Sequence, residues 1–244
     1  MTFQRNLFSL IFHSILFALN YHYLVNFSWL WAPKNPQTLT FGGQRKWLTY
    51  LNHEIQLVYC GVAVIIDIIA LVTTKDWRKR HESGLHHFGD RLFFFCLTCS
   101  SVVGILFWGI VAYKVELLMP PGIENVYPWE LNVYQHGFVA VNMWLELLLI
   151  PHYASKHPFL DLGLGLTFGL GYIGWMEMVY QETMKYPYPF LNTMELNHKL
   201  MFHGGSLLIM ALVAALFRKL ILLRWTHPHL AVPTTTSASK QKAQ

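Results

Sequence analysis

Charge is what this sequence has least of. Only 13% of its 244 residues are Asp, Glu, Lys or Arg, against 54% hydrophobic. A soluble domain carries about 25% charged residues, so this chain cannot cover a water-facing surface of its size. Disorder is excluded as well, because it needs low hydrophobicity and high charge. Cysteine is scarce: three in the whole chain exclude a disulfide-stapled secreted domain. No stretch alternates apolar and polar residues over about ten positions, which argues against a transmembrane β-barrel. Internal repeats are absent too.

What is present is long apolar runs and a mean hydropathy of +0.33. A spanning helix needs roughly 20 mostly apolar residues. Six segments qualify: Leu7–Val25, Trp47–Val72, Phe88–Ala112, Leu131–Ile150, Leu160–Tyr180 and Leu200–Leu223. The expected fold is an all-α integral membrane protein, a bundle of six transmembrane helices over residues 1–226. The first segment is longer than a signal-peptide core and lacks a small-x-small cleavage site, so it reads as a retained helix. Residues 227–244, rich in Thr, Ser and Lys from Pro233 onward, read as a cytosolic disordered tail.

With both termini cytosolic, two thirds of the 18 Lys and Arg lie on the cytosolic side. That orientation satisfies the positive-inside rule. The net charge of +5 then reads as contact with anionic membrane lipid, and nucleic acid is not needed to explain it. Lys242 and Lys240 stand third and fifth from the end, as in a dilysine retrieval signal, so the endoplasmic reticulum joins the plasma membrane as an expected location. Cys96 and Cys99 form a CxxC without a second pair and read as small packing residues. Gly165 and Gly169 read as a close-packing pair.

Polar groups within hydrocarbon are costly and mark the places of interest. The second segment opens with Thr49, Asn52, His53 and Gln56, spaced to share one helix face. The fourth opens with Asn132, Gln135 and His136. Even-numbered spans run from outside to inside, so both faces lie at one depth in the outer leaflet. His198 and His203 of the sixth span, and Glu182 closing the fifth, fall at that level. Such groups can simply bridge helices by hydrogen bonds. They can also do chemistry. A hydroxyl beside an imidazole can attack an ester carbonyl and form an acyl-enzyme that water hydrolyses. Asn52, Asn132 or a second His would steady the oxyanion.

Certain runs resemble the androgen-induced gene 1 family. Gly42-Gly43-Gln44-Arg45-Lys46-Trp47-Leu48-Thr49, then Leu51-Asn52, Gln56 and Gly61, match one of its stretches. Leu131-Asn132-Val133-Tyr134-Gln135-His136 is similar to its Leu-Asn-His-x-x-His motif. Glu182-Thr183 with Tyr186 and Tyr188-Pro189 is similar to a third. The resemblance implies a six-span threonine hydrolase of fatty acid esters of hydroxy fatty acids, without metal or cofactor. It puts the essential Thr on Thr49 and the essential His on His136; the polar residues around them, Lys46, Asn52, His53, Asn132, Glu182, His198 and His203, are the supporting candidates. Two departures stand out: Val133 and Gly137 replace the His and Thr of the second motif, and Gln44-Arg45 replaces an Arg-aromatic pair.

Two other readings compete. His81, His86 and His87, with His152, His157, His227 and His229, suggest the histidine boxes of a membrane di-iron lipid oxidase. Alternatively the polar cluster serves a non-enzymatic lipid-binding or regulatory membrane protein.

Overall fold

The computed structural model describes residues 2–73, 84–119, 121–122 and 127–225. The tail from 227, with its dilysine, and His81, His227 and His229 lie outside these residues. Within them the chain is helical and no strand occurs. Seven α-helices follow in order: α1 Thr2–Asn26, α2 Leu48–Thr73, α3 Gly84–Lys114, α4 Trp129–Val133, α5 Val139–Leu149, α6 Pro158–Thr183 and α7 Leu196–Arg224.

Five helical stretches are long and apolar enough to cross a membrane: Asn6–Lys34, Leu48–Thr73, Gly84–Leu117, Pro158–Thr183 and Leu196–Arg224. The protein is thus an all-α multi-pass membrane bundle. The fourth expected span, Leu131–Ile150, has a different character. It is a broken rod in which α4 and α5 are joined by a π-helical turn, Tyr134–Phe138. Its hydropathy is lowered by Asn132, Gln135, His136, Asn142 and Glu146, all of them buried. Its outward residues Phe138, Val141, Trp144, Leu145 and Leu148 are exposed and apolar. The rod is therefore polar within and oily without, which average hydropathy cannot register.

A core of Tyr59, Phe93, Leu97, Met143, Val213 and Phe217 ties α2, α3, α5 and α7 together. Cys96 and Cys99 sit in it as buried free thiols, in keeping with a packing role. At Gly165 and Gly169 the α6 backbone comes close to α7: a Cβ on Gly169 would stand 2.7 Å from Leu207.

Between α1 and α2 the chain crosses one end of the bundle in a π turn and three short 3-10 turns, Ala32–Lys34, Pro36–Leu39 and Gly43–Lys46. Gly42 (φ 82°) and Gly43 (φ 55°) take the left-handed region that the turn requires. Gly42 is also crowded, with Trp175 and Val179 at 3.2 Å from any added Cβ. This crossing delivers the chain into α2 at Leu48 and so fixes where Thr49 stands.

Candidate functional site

The first amides of a helix have no partner within it. At the start of α2, Tyr172 and Tyr188 supply one: the Leu48 amide donates to both phenol oxygens, at 2.9 and 3.1 Å. Tyr172 in turn donates to the Lys46 carbonyl at 2.9 Å. Trp47 Nε1 donates to the Pro187 carbonyl, and Trp175 Nε1 to the Arg45 carbonyl. The first turn of α2 is thereby bolted to α6 and to the loop that follows it.

On that turn the Thr49 hydroxyl lies 3.0 Å from His136 Nε2. The other ring nitrogen, Nδ1, is 2.9 Å from the Asn132 carbonyl. A carbonyl only accepts, so Nδ1 carries the hydrogen. Nε2 is left with a lone pair, and the Thr49 hydroxyl donates to it. Both side chains are buried. Phe107 stacks on the imidazole at 3.6 Å between ring centres. Trp108 Nε1 donates to the His136 carbonyl at 3.0 Å. Gly104 lets α3 approach that carbonyl: a Cβ there would lie 3.0 Å from it. The imidazole is thus held on its face, on its far nitrogen and through its backbone. It sits on the π turn, a helix form enriched at functional sites.

Two cavities meet at this pair. One, of about 100 Å³, lies among α2, α3, α6 and α7 and is walled by residues such as Leu106, Ile173, Met176 and Met210. The other, of about 140 Å³, lies toward the chain crossing and is walled by Phe27, Asn35, Gln37, Tyr50, Asn132 and Gln135 among others. Thr49, Phe107, Leu118, His136 and Tyr188 border both.

The remaining candidates divide. His203 borders the first cavity and Asn132 the second. Asn52 and His53 are fully buried but border neither. Asn52 accepts a hydrogen bond from Ser100 at 3.2 Å, and His53 packs against Tyr134. Lys46 is buried beside the site, its ammonium donating to the Gln37 carbonyl and the Thr40 hydroxyl at 2.6 and 2.5 Å. Burial pulls its pKa below the ordinary lysine value. Glu182 and His198 are not brought in. Both are exposed, and His198 lies 4.0 Å from the equally exposed Glu195. Equal depth along two helices does not mean that side chains turn toward each other. The unusual Gln44-Arg45 pair has local duties: Gln44 accepts from Ser28 at 3.0 Å, and Arg45 forms an exposed ion pair with Glu54 at 2.8 Å.

Phe107, Tyr172 and Tyr188 belong to the site although their sequence positions do not single them out as site residues. The run Tyr188-Pro189 carried a hint. Of a second polar cluster, the sequence singles out only His152, as part of a histidine box. His13 of α1 stands between Asp67 (2.6 Å) and Glu146 (3.0 Å). Glu146 also accepts from Tyr59 and lies 3.3 Å from His152, whose Nδ1 is 3.1 Å from Asp90. Ser9 donates to Asp67 at 2.8 Å. These residues come from five separate segments, so no local spacing reveals them. Among the described residues no three or more His, Cys, Asp or Glu are placed to hold a metal ion. His86 and His152 do border one small cavity beside Asp67 and Asp90.

No solved structure matches this chain. Known sequences do. The human androgen-induced gene 1 protein is 30% identical over 187 residues, covering 73% of this chain and 76% of the relative. The human androgen-dependent TFPI-regulating protein is 28% identical over 197 residues, covering 78% and 81%. A membrane protein of Schizosaccharomyces pombe is 24% identical over 197 residues, covering 80% and 79%. The model of the FAR-17a/AIG1-like protein family matches residues 8–221, nearly the whole helical region. The chain belongs to the FAR-17a/AIG1-like family.

Proposed function

We propose that the protein is a membrane-embedded lipid ester hydrolase with Thr49 as nucleophile and His136 as general base. The observation that carries this reading is the hydroxyl–imidazole–carbonyl chain, with Thr49 at 3.0 Å from Nε2 and the Asn132 carbonyl at 2.9 Å from Nδ1. It presets the tautomer that a base needs. The Thr49 proton passes to Nε2 as Oγ1 bonds to the ester carbonyl carbon. The carbon–oxygen bond to the alcohol then breaks, and Nε2 returns the proton to the departing oxygen. Water, deprotonated by the same nitrogen, releases the acid and restores Thr49. No step requires a metal or an organic cofactor.

The apolar cavities suit fatty-acyl esters, and the family resemblance of the motifs points to fatty acid esters of hydroxy fatty acids. On the same reading both termini are cytosolic, in the endoplasmic reticulum or the plasma membrane. The Thr49 end of the bundle then faces the lumenal or outer leaflet, where membrane lipid supplies the substrate.

The test is ester turnover and fluorophosphonate labelling of the purified protein in nanodiscs. Wild type should hydrolyse and label; Thr49→Ala and His136→Ala should do neither to a measurable extent. Full turnover in either variant refutes the assigned role. A folded wild type that neither turns over nor labels would instead favour a lipid-binding protein that uses the same cavities.

A further inference from the structure

Both cavities border Thr49 and His136, and this bears on how a substrate lies. An ester has two halves joined at the atoms that Thr49 and His136 must reach. One cavity on each side of the pair provides one compartment for each half. Which half goes where is limited by the proton and decided by the linings. The alcohol oxygen must leave within reach of His136 Nε2, because that nitrogen protonates it. The helical turn that carries His136 walls the second cavity with Asn132 and Gln135, whereas His136 alone of that rod borders the first. His136 itself borders both cavities, so the linings decide on which side the departing oxygen lies.

The linings differ. The first cavity is walled by Val103, Leu106, Ile173, Met176, Leu207 and Met210, side chains that offer an acyl chain contact and little else. Its bordering Ser206 is spent on the Phe202 carbonyl at 2.8 Å. The second cavity carries the amides of Asn35, Gln37, Asn132 and Gln135, which can pair with polar groups on an alcohol half. At one limit of the first cavity, Gly169 and Met210 meet within 3.7–3.8 Å of where a Cβ would stand.

We propose that the partition assigns the ester's two halves: the fatty acyl chain lies in the α3–α6–α7 cavity, and the alcohol half lies in the cavity beneath the chain crossing. Met210 and Ile173 then set acyl-chain length, and Met119, which borders the second cavity, sets tolerance for the alcohol. The assignment rests on the hydrolase reading above.

Two ester series test it. One varies the acyl chain from acetyl to palmitoyl on p-nitrophenol. The other keeps palmitoyl and varies the alcohol from methanol to a long-chain alcohol and a hydroxystearic acid. Met210→Phe, with Ile173→Phe as a second variant, should lower kcat/KM for palmitoyl relative to acetyl esters by about tenfold or more. The order of preference among alcohols should stay as in wild type. Met119→Trp should do the reverse, discriminating among alcohols with an unchanged acyl profile. Fluorophosphonate labelling of each variant confirms that the Thr49 site is intact. Exchanged responses, or equal responses from both cavities, overturn the assignment while leaving the hydrolase standing. A wild type without turnover, or an undiminished Thr49→Ala, overturns the hydrolase and the assignment with it.

Discussion

The Thr49 hydroxyl has one hydrogen to give, and the Nε2 lone pair of His136 receives it because Nδ1 is already committed to the Asn132 carbonyl. Valine has nearly the shape of threonine and no hydroxyl, so Thr49→Val isolates this hydrogen. It leaves a buried imidazole acceptor without its donor, a cost of about 1–3 kcal/mol. The variant should stay folded, melting a few degrees lower in detergent, while ester turnover falls on the order of 10⁴-fold or more. Thr49→Ser should keep measurable turnover, because the hydroxyl remains. A Thr49→Val enzyme within tenfold of wild type would count against the nucleophile. Gly104 acts at one remove: its Cβ would stand 3.0 Å from the His136 carbonyl, so Gly104→Val must displace the π turn. Turnover should drop with little change in KM, which steady-state kinetics would show.

At the scale of elements, the question is what holds the first turn of α2 in place. Tyr172 and Tyr188 share the Leu48 amide, and their hydroxyls lie 3.1 Å apart. Losing one phenol leaves the amide with the other. Losing both strands it at a buried helix start. Tyr172→Phe and Tyr188→Phe should each cost about 1 kcal/mol. The double variant should cost more than the sum, as a double-mutant cycle on thermal unfolding would reveal; strict additivity would show that the two phenols act separately. The elements themselves were largely legible in the sequence. Four of the six expected spans recur as single α-helices with ends displaced by a few residues, and the first runs on past Asn26 into the end turns. The fourth was legible as a helix, but its π turn was not. Gly104 and Trp108 of α3 fit against the His136 carbonyl on that turn, and those contacts are tertiary.

Over the whole molecule, the buried ionisable side chains of the second cluster join what the helices alone would not. Glu146 meets His13 of α1, Tyr59 of α2 and His152 of the α5–α6 connection; His13 reaches on to Asp67, and His152 to Asp90 of α3. Removing Glu146 strands its hydrogen-bonding partners His13, Tyr59 and His152 at once in a medium that cannot solvate them, each at a cost of about 1–3 kcal/mol. Glu146→Ala should therefore unfold the bundle or lower its melting temperature far more than Thr49→Val does, although both change one buried side chain. Scanning calorimetry or thermal fluorescence in nanodiscs would measure the difference. A Glu146→Ala protein as stable as wild type would show that the cluster adds little to the fold.

Low charge and long apolar runs by themselves determined that this chain is a helical membrane protein, because hydrocarbon tolerates few other arrangements. Periodicity placed Thr49 and His136 on polar helix faces, the expected topology put those faces at one depth, and the family's motifs singled out the pair. Only the tertiary structure decided which polar residues at that depth share a site. It turned Thr49 and His136 to within 3.0 Å and left Glu182 and His198 facing outward. It also gathered His13, Asp67, Glu146 and His152 from separate segments. The reason is physical: the helical repeat fixes how residues are spaced along one rod, whereas the rotation of each rod about its own axis is set by packing against its neighbours.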